Sequence, residues 1–256
     1  CLLHEKPFKG VNGSGKHNNW SIATDEGENL FAPGKTPMEN AQFLLFLSAV
    51  IKAVDDNQDL LRCIVASAGN DLRLGASEAP PAIMSIYVGD ELQAILESIK
   101  SGKAYIGGKK TKMNIGVDVL PPIPKDSTDR NRTSPFAFTG NRFEFRSVGS
   151  NLSISGPNTI LNAILADSLR AYANELEKSK NFDSDLKKLI KREITSHWNI
   201  LFNGNGYDIA WVEEAEKRGL KNYRTLPDAM EHYLDKKNID LLKRMGIYTE
   251  TEMQSH

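Results

Sequence analysis

The sequence predicts an α+β fold, with strands and helices mixed in residues 1–155 and a helical region over residues 156–256. Short segments of alternating polar and apolar residues, separated by glycine-containing turns, are confined to the first region. The second region has apolar residues at helical spacing between short Gly/Asn turns. A chain of 256 residues is long enough for one large or two ordinary domains with a hydrophobic core.

The charge balance excludes some classes of partner. Lys and Arg number 32 against 33 Asp and Glu, a net charge of -1. No overall field therefore attracts nucleic acid or an anionic membrane, and local arginines must hold any anionic ligand. The two cysteines, Cys1 and Cys63, make no disulfide framework and favour a reducing, cytoplasmic setting. No apolar run reaches the roughly 20 residues of a membrane span.

Both ends of the sequence are typical of a piece of a longer protein. The charged stretch His4-Glu5-Lys6 argues against a signal peptide, and the chain opens at Cys1 without a methionine. It ends at His256 without a helix cap. We therefore expect residues 1–155 to be part of a larger α+β domain, and residues 156–256 to be a truncated helical region.

The first region is predicted to begin with a strand over residues 1–9, a glycine loop and a second strand over residues 17–22. Thr36-Pro37 predicts the start of a helix, because proline is favoured in the first turn. A second short helix is expected over residues 58–67, a loop over residues 69–81 and a helix over residues 90–101. The helix that starts near Thr36 has one apolar stripe, formed by Leu44, Leu47, Ile51 and Val54.

Further along the chain, Gly107-Gly108 predicts a hairpin, and residues 141–147 have the alternation of a strand. A helix is predicted over residues 159–178, and four more helices are predicted from residue 182 onward.

The strand over residues 17–22 places three polar side chains on one face, because strand side chains repeat every second residue. These are His17, Asn19 and Ser21, and the opposite face has Trp20 and Ile22, which suit a core. An imidazole, an amide and a hydroxyl thus lie together directly after a flexible glycine loop. A solvated edge strand with an ordinary histidine is the alternative interpretation.

The strand over residues 141–147 has Arg142, Glu144 and Arg146 on one face, with phenylalanines on the other. Cross-strand ion pairing on an exposed sheet would explain this pattern without a function. Arg130 and Arg132 lie just upstream, so four arginines fall within 17 residues of a balanced chain. Such a group favours recognition of carboxylate or phosphate by guanidinium groups, and the glutamate among them is a candidate ligand for a divalent cation.

The predicted loop over residues 70–81 contains Arg73 and Glu78 in a setting that favours tight turns. Loops on a rigid scaffold commonly carry functional residues, but such a pair is also a routine surface salt bridge. By itself, this loop does not distinguish a functional site from a surface salt bridge.

Four segments, taken in order, resemble the glutamine synthetase family. Val11-Asn-Gly-Ser-Gly-Lys-His17 followed by Ser21 is similar to the family's Asn-Gly-Ser-Gly-x-His-x-x-x-Ser signature, and Arg73-Leu-Gly-Ala-Ser-Glu78-Ala-Pro is similar to its Arg-Leu…Glu-Ala-Pro loop. Arg130-Asn-Arg132 and Arg142-Phe-Glu144-Phe-Arg146 resemble its Arg-Asn-Arg and Arg-x-Glu-x-Arg segments. Three further segments resemble the type III branch of the family: His4-Glu-Lys-Pro-Phe, His17-Asn-Asn-Trp-Ser21 and Arg132-Thr-Ser-Pro-Phe136.

The resemblance implies a role for each matching residue. His17 and Glu144 would bind the divalent cation, Mg²⁺ or Mn²⁺, that lies nearest the γ-phosphate of the co-substrate ATP. Glu78 would lie over the active site and accept a proton from ammonium. The residues implied for glutamate are Asn12, Gly13, Arg73 and Arg146, and those implied for ATP and its transferring phosphoryl group are Asn19, Ser21, Arg132 and Arg142.

The implied reaction is ATP-dependent ligation of ammonia to the γ-carboxylate of L-glutamate through a γ-glutamyl phosphate. The implied fold is part of a catalytic domain, an antiparallel sheet that forms part of a barrel flanked by helices, in a homo-oligomer that is a dodecamer of two hexameric rings. In the family a β-grasp N-terminal domain and the glutamates of the first cation site precede the signature, and this sequence lacks both. We therefore predict that the segment alone is inactive.

Two alternatives stay open on the sequence alone. A ligase that joins glutamate to an amine other than ammonia would keep the ATP and metal residues and change only the amine pocket. A non-catalytic protein that kept the fold would have no physical need for His17, Glu78, Glu144 and Arg146 together.

Overall fold

The computed structural model describes residues 4–105, 112–113, 123–124 and 133–255. The first part has β1 (Asn18–Trp20), α1 (Ala41–Asp56), α2 (Gln58–Cys63), α3 (Ala68–Arg73), β2 (Ile86–Tyr87), α4 (Asp90–Ser101), β3 (Lys112–Met113), β4 (Ile123–Pro124), β5 (Phe136–Phe138) and β6 (Phe143–Phe145). The second part has α5 (Ser155–Leu176), α6 (Phe182–Ser196), a 3₁₀ turn (Trp198–Ile200), α7 (Ile209–Lys217), α8 (Leu226–Met230), α9 (Lys236–Arg244) and α10 (Glu250–Ser255). The predicted α+β class is confirmed. The hairpin predicted at Gly107-Gly108 lies outside the described residues, as do Arg130 and Arg132.

Four strands form one open sheet in the order β1-β6-β5-β2, and β3 and β4 pair separately. β6 is antiparallel to β1 and β5, as the implied fold predicts, but β2 is parallel to β5. The connection between β2 and β5 includes α4, the kind of long crossover that parallel strands need. Beyond β2, the backbone N–H of Phe202 donates to the carbonyl of Ile86 at 2.9 Å, so the helical region also reaches this sheet. Closure into a barrel stays a prediction.

One face of the sheet is an aromatic core. The rings of Phe136 and Phe143 stack with centroids 4.9 Å apart, and Phe145 beside them is fully buried. Burial of several aromatic rings on one face leaves the other face of β1 and β6 available for polar side chains.

Hydrogen bonds from buried side chains hold β1 against α5. The indole Nε1 of Trp20 donates to Asn162 Oδ1 at 3.0 Å, and Asn18 Nδ2 donates to Asn158 Oδ1 at 2.8 Å. Because these residues lie on the inner side of β1, the strand has a defined orientation, and the residues that alternate with them face outward.

The predicted apolar stripe of α1 is buried, at 5% exposure or less for Leu44, Leu47, Ile51 and Val54. The helix begins at Ala41 rather than near Thr36, because the side chain of Asn40 accepts a hydrogen bond from Phe43 N and caps it. α4 has the predicted bounds and ends where Gly102 adopts the left-handed conformation. No helix in the described part of the chain is long and apolar enough to cross a membrane.

Several predicted segments were wrong. Residues 4–9 form turns, not a strand, and the carbonyl of Glu5 accepts a hydrogen bond from Ser14 N at 3.0 Å. Residues 69–73, predicted as the start of the loop over residues 69–81, belong to α3, because the side chain of Ser67 accepts a hydrogen bond from Asn70 N at the N-terminus of this helix. From residue 182 the described residues form five helices and a 3₁₀ turn, where four helices were predicted.

A largely buried ion pair joins three elements of the fold. Arg62, on α2, places its Nη2 atom 2.5 Å from Oδ1 of Asp71 on α3, and its Nε donates to the carbonyl of Tyr223 at 2.7 Å. The other carboxylate oxygen of Asp71 accepts a hydrogen bond from the backbone N–H of Leu226, where α8 begins. Arg62 has no exposed surface, so this pair ties the helical region to the helix that carries Arg73.

Candidate active site

The predicted polar face of β1 is observed. His17, Asn19 and Ser21 are exposed, and Asn18 and Trp20 between them are buried. β6 pairs with this strand so that Glu144 lies opposite Asn19. The two strands thus bring the signature segment and the Arg-x-Glu-x-Arg segment together on one surface.

His17 and Glu144 are in direct contact. His17 Nδ1 lies 2.8 Å from Glu144 Oε1, and the Nε of Arg146 lies 3.6 Å from the same oxygen. The hydrogen bond to His17 lowers the pKa of the Glu144 carboxyl, burial opposes this effect, and the charge of Arg146 reinforces it. Glu144 is therefore an ionised carboxylate, the form in which it can bind a cation.

The spacing of this pair fits two ligands of one divalent cation. Two ligands about 2.1 Å from Mg²⁺ at right angles lie about 3 Å apart, close to the separation of Nδ1 and Oε1. Within the described residues no group of three or more His, Cys, Asp and Glu side chains could hold a metal ion. A cation held by His17 and Glu144 would therefore take its other ligands from water, phosphate oxygens or other parts of the protein.

Arg73 is buried, at 3% exposure, behind residues 11–17, which we call the signature loop. Its Nη1 donates to Asn70 Oδ1 at 2.8 Å, and its Nη2 donates to the backbone carbonyl of Arg146 at 2.9 Å. A Cβ atom on Gly15 would lie 2.2 Å from Arg73 Nη2, so any other residue at this position would require the guanidinium to move. Burial lowers the pKa of Arg73, and the negative charge of Glu5 opposes that effect.

Glu78 lies in an exposed loop and contacts the signature segment. The side-chain Nδ2 of Asn12 donates to Glu78 Oε2 at 2.7 Å. Ser77 and Glu78 have φ values of 39° and 64°, in the left-handed region that costs energy for residues other than glycine. In this backbone conformation the Glu78 carboxylate contacts Asn12, and strained residues of this kind often occur at functional sites.

Ser21 and Arg142 lie at the other end of the surface. Ser21 Oγ donates to Asn29 Oδ1 at 3.1 Å and to the carbonyl of Asn141 at 3.3 Å. Arg142, which follows directly, is exposed. Arg132, the remaining predicted residue, lies outside the described residues, and its neighbour Thr133 is buried.

The structure also places three residues at this site that the sequence did not indicate. Asn70 is fully buried and donates to the carbonyls of Val65 and Ser147, which joins α3 to the end of β6. Glu5 is buried beneath the signature loop, and Tyr207 of the helical region lines a cavity of about 880 Å³ together with Glu78. The alternation and turn patterns gave no signal for these residues, because their places depend on contacts between distant segments.

Residues 185–256 match the family model described as the glutamine synthetase C-terminal domain. This match lies in the helical region and does not include the signature residues.

Similarity to whole proteins extends over the site as well. The chain is 50% identical to the type-3 glutamine synthetase of Dictyostelium discoideum and 51% identical to a glutamine synthetase of Butyrivibrio fibrisolvens, over all of its length and 35% and 36% of theirs. It is 46% identical to a glutamine synthetase of Bacteroides fragilis (strain YCH46), over 98% of this chain and 36% of the relative. The chain thus spans about a third of the length of the curated relatives it matches. The resemblance to glutamine synthetases of the type III branch is confirmed.

Proposed function

We propose that this chain provides part of the active site of a glutamate–ammonia ligase, a glutamine synthetase that uses ATP. The observation that carries the proposal is the convergence of three distant segments on one surface. Asn12 contacts Glu78, Arg73 contacts the backbone of Arg146, and His17 contacts Glu144. The names of the relatives, and their 46–51% sequence identity to this chain, support this assignment.

The glutamate substrate is held by groups at the buried end of this surface. Arg73 and Arg146 bind its carboxylates, because guanidinium groups match the planar geometry of a carboxylate. Asn12 and Gly13 contribute an amide and a backbone group beside them. The contact between Arg73 and the Arg146 carbonyl supports a common site for the two arginines.

Transfer of the γ-phosphoryl group takes place over β1 and β6. His17 and Glu144 hold Mg²⁺ or Mn²⁺, which supplies the charge that offsets the phosphate oxygens. Asn19 and Ser21 contact ATP, and Arg132 and Arg142 stabilise the transferring group. The γ-carboxylate of glutamate attacks the γ-phosphorus, ADP departs, and a γ-glutamyl phosphate remains.

Glu78 serves the second half of the reaction. Ammonium must lose a proton before its nitrogen can attack the acyl phosphate and displace phosphate, and the Glu78 carboxylate accepts that proton. The loop that carries Glu78 lies across Asn12, which supports a role in shielding the reactive acyl phosphate from water.

The chain is a segment of a longer enzyme in this proposal, since it matches only 35–36% of its relatives. In the whole protein a preceding β-grasp domain and the first cation site complete the active site, and the sheet closes into part of a barrel. Residues 1–155 belong to that catalytic domain, and residues 156–256 form the helical C-terminal region. The whole protein is a cytoplasmic dodecamer of two hexameric rings, and the isolated segment is inactive.

One observation favours a second candidate, a ligase for an amine other than ammonia. The cavity of about 880 Å³ beside Glu78 is lined by apolar side chains, among them Leu72, Ile209 and Val212, and by polar ones, among them Asp208, Arg224 and Asp228. Such a volume is far larger than ammonia needs, and a carboxylate beside apolar side chains suits an alkylammonium ion.

Product analysis separates these candidates. We expect the whole protein, given glutamate, ATP and Mg²⁺, to form glutamine from ammonium at least about 100-fold faster than N-alkylglutamine from methylamine or ethylamine, which corresponds to about 2.7 kcal/mol of transition-state discrimination. The isolated 256-residue chain serves as the control and should form neither product. Faster reaction with an alkylamine would favour the second candidate, whereas no ATP-dependent product from any amine would refute both.

A further inference from the structure

Glu5 is a buried carboxylate that none of the roles above uses. Its exposure is 5%, although burial of a carboxylate is costly unless hydrogen bonds and charges compensate. Oε1 accepts a hydrogen bond from the backbone N–H of Asn151 at 3.2 Å, and Oε2 accepts one from Ser67 Oγ at 3.5 Å. The side chain thus lies between the start of α3 and the loop that follows β6.

The backbone around Glu5 leaves space for its carboxylate. A Cβ atom on Gly69 would lie 2.3 Å from Oε2, and a Cβ atom on Gly149 would lie 2.1 Å from Oε1. Two glycines from distant segments therefore lie against the two oxygens, where any other residue would collide with them. Gly69 is in α3, the helix that ends with Arg73.

The main chain of Glu5 contacts the signature loop. Its carbonyl accepts the hydrogen bond from Ser14 N at 3.0 Å, and a Cβ atom on Gly13 would lie 1.9 Å from the same oxygen. Gly13 and Glu5 are thus in direct backbone contact, and the loop that carries Asn12 lies directly over Glu5.

The charge of Glu5 acts on Arg73. Arg73 is 3% exposed, and burial and the neighbouring positive charge of Arg146 both disfavour its charged form, whereas the negative charge of Glu5 favours it. Glu5 therefore offsets the positive charge of Arg73, whereas Glu144 lies beside Arg146.

We propose that Glu5 is a positioning residue for the glutamate site, which holds the Arg73 guanidinium and the Asn12–Gly13 segment in a fixed relation to each other. The inference rests on the proposed function, since it takes Arg73, Asn12 and Gly13 as glutamate-binding groups. Glu5 does not itself touch the substrate. Its carboxylate orients α3 and offsets the positive charge of Arg73, and its backbone carbonyl holds the signature loop by accepting a hydrogen bond from Ser14 N.

The variant Glu5→Gln tests this role, because it keeps the shape and one acceptor oxygen and removes the charge. In the whole enzyme we expect KM for glutamate to rise about 10-fold, with KM for ATP and kcat changed less than about 3-fold, the pattern of lost substrate binding. Glu193→Gln is the matched control: Glu193 is also buried, at 7% exposure, but it contacts Arg192 and His197 in the helical region. We expect this control to leave both KM values unchanged.

The outcomes separate this inference from the proposed function. No glutamine formation by the wild-type protein would refute the proposed function, whereas an active wild type with an unchanged KM for glutamate in Glu5→Gln would refute only the role of Glu5. Equal rises in both KM values would also contradict it.

If Glu5→Gln does not fold, Glu5→Asp replaces it, since it keeps the charge and withdraws the oxygens from Asn151 and Ser67. We again expect a selective rise in KM for glutamate, and failure of both variants to fold would mean that Glu5 is purely structural.

Discussion

Replacement of Glu144 by alanine is expected to lower kcat for glutamine formation in the whole enzyme at least about 100-fold, since loss of even an outer partner of a metal site typically costs 10- to 100-fold. Glu144 lies 2.8 Å from His17 and 3.6 Å from Arg146, and its removal leaves His17 as the one described cation ligand and takes away the carboxylate beside Arg146. The measurement is a steady-state assay of glutamine and phosphate over a range of Mg²⁺ and Mn²⁺ concentrations.

The control for this experiment is Glu175→Ala. Glu175 is a carboxylate on the surface of α5, paired with Arg192 at 2.8 Å and remote from the candidate site. We expect it to retain full activity, because an exposed ion pair contributes little to stability. Full activity in Glu144→Ala would contradict the assignment of Glu144 as a metal ligand.

Replacement of Arg62 by methionine is expected to lower the free energy of unfolding by about 3–5 kcal/mol, the usual result when one member of a buried ion pair is removed. Arg62 has no exposed surface, and the side chain of Asp71 is only 13% exposed. Without Arg62, the Asp71 carboxylate keeps its negative charge but loses this ion pair. The carbonyl of Tyr223 also loses a donor. Urea unfolding followed by circular dichroism measures the change.

A second substitution distinguishes this charge effect from loss of packing. Asp71→Asn removes the charge and keeps an oxygen that can accept the hydrogen bond from Leu226 N. We expect the double variant with Arg62→Met to be more stable than Arg62→Met alone, because the uncompensated charge is gone. A loss below about 1 kcal/mol in Arg62→Met would show that the buried pair does not stabilise the junction between α3 and the helical region.

Local patterns predicted the parts of the structure that depend on neighbouring residues. Alternation along residues 17–22 placed His17 and Asn19 opposite Trp20, because the side-chain period of a strand follows from its backbone geometry. The bounds of α4 matched because Gly102 gives a strong stop signal that lies within the segment itself.

Long-range contacts determine the parts that the sequence did not predict. α3 contains Gly69 and Asn70, which are poor helix formers, but Asn70 is fixed by carbonyls of Val65 and Ser147. The parallel pairing of β2, and its contact with Phe202, join segments far apart in the chain. For the site, the family resemblance indicated the participants, whereas the burial of Arg73 and the packing of Gly69 and Gly149 against Glu5 needed the structure.

An anomalous-scattering map of the whole protein with Mn²⁺ and an ATP analogue tests most directly whether His17 and Glu144 hold the cation of the proposed active site. We expect a manganese peak within about 2.3 Å of both His17 Nδ1 and Glu144 Oε1, with phosphate oxygens among its other ligands. Manganese and nucleotide bound elsewhere, with His17 and Glu144 still paired to each other, would contradict this assignment.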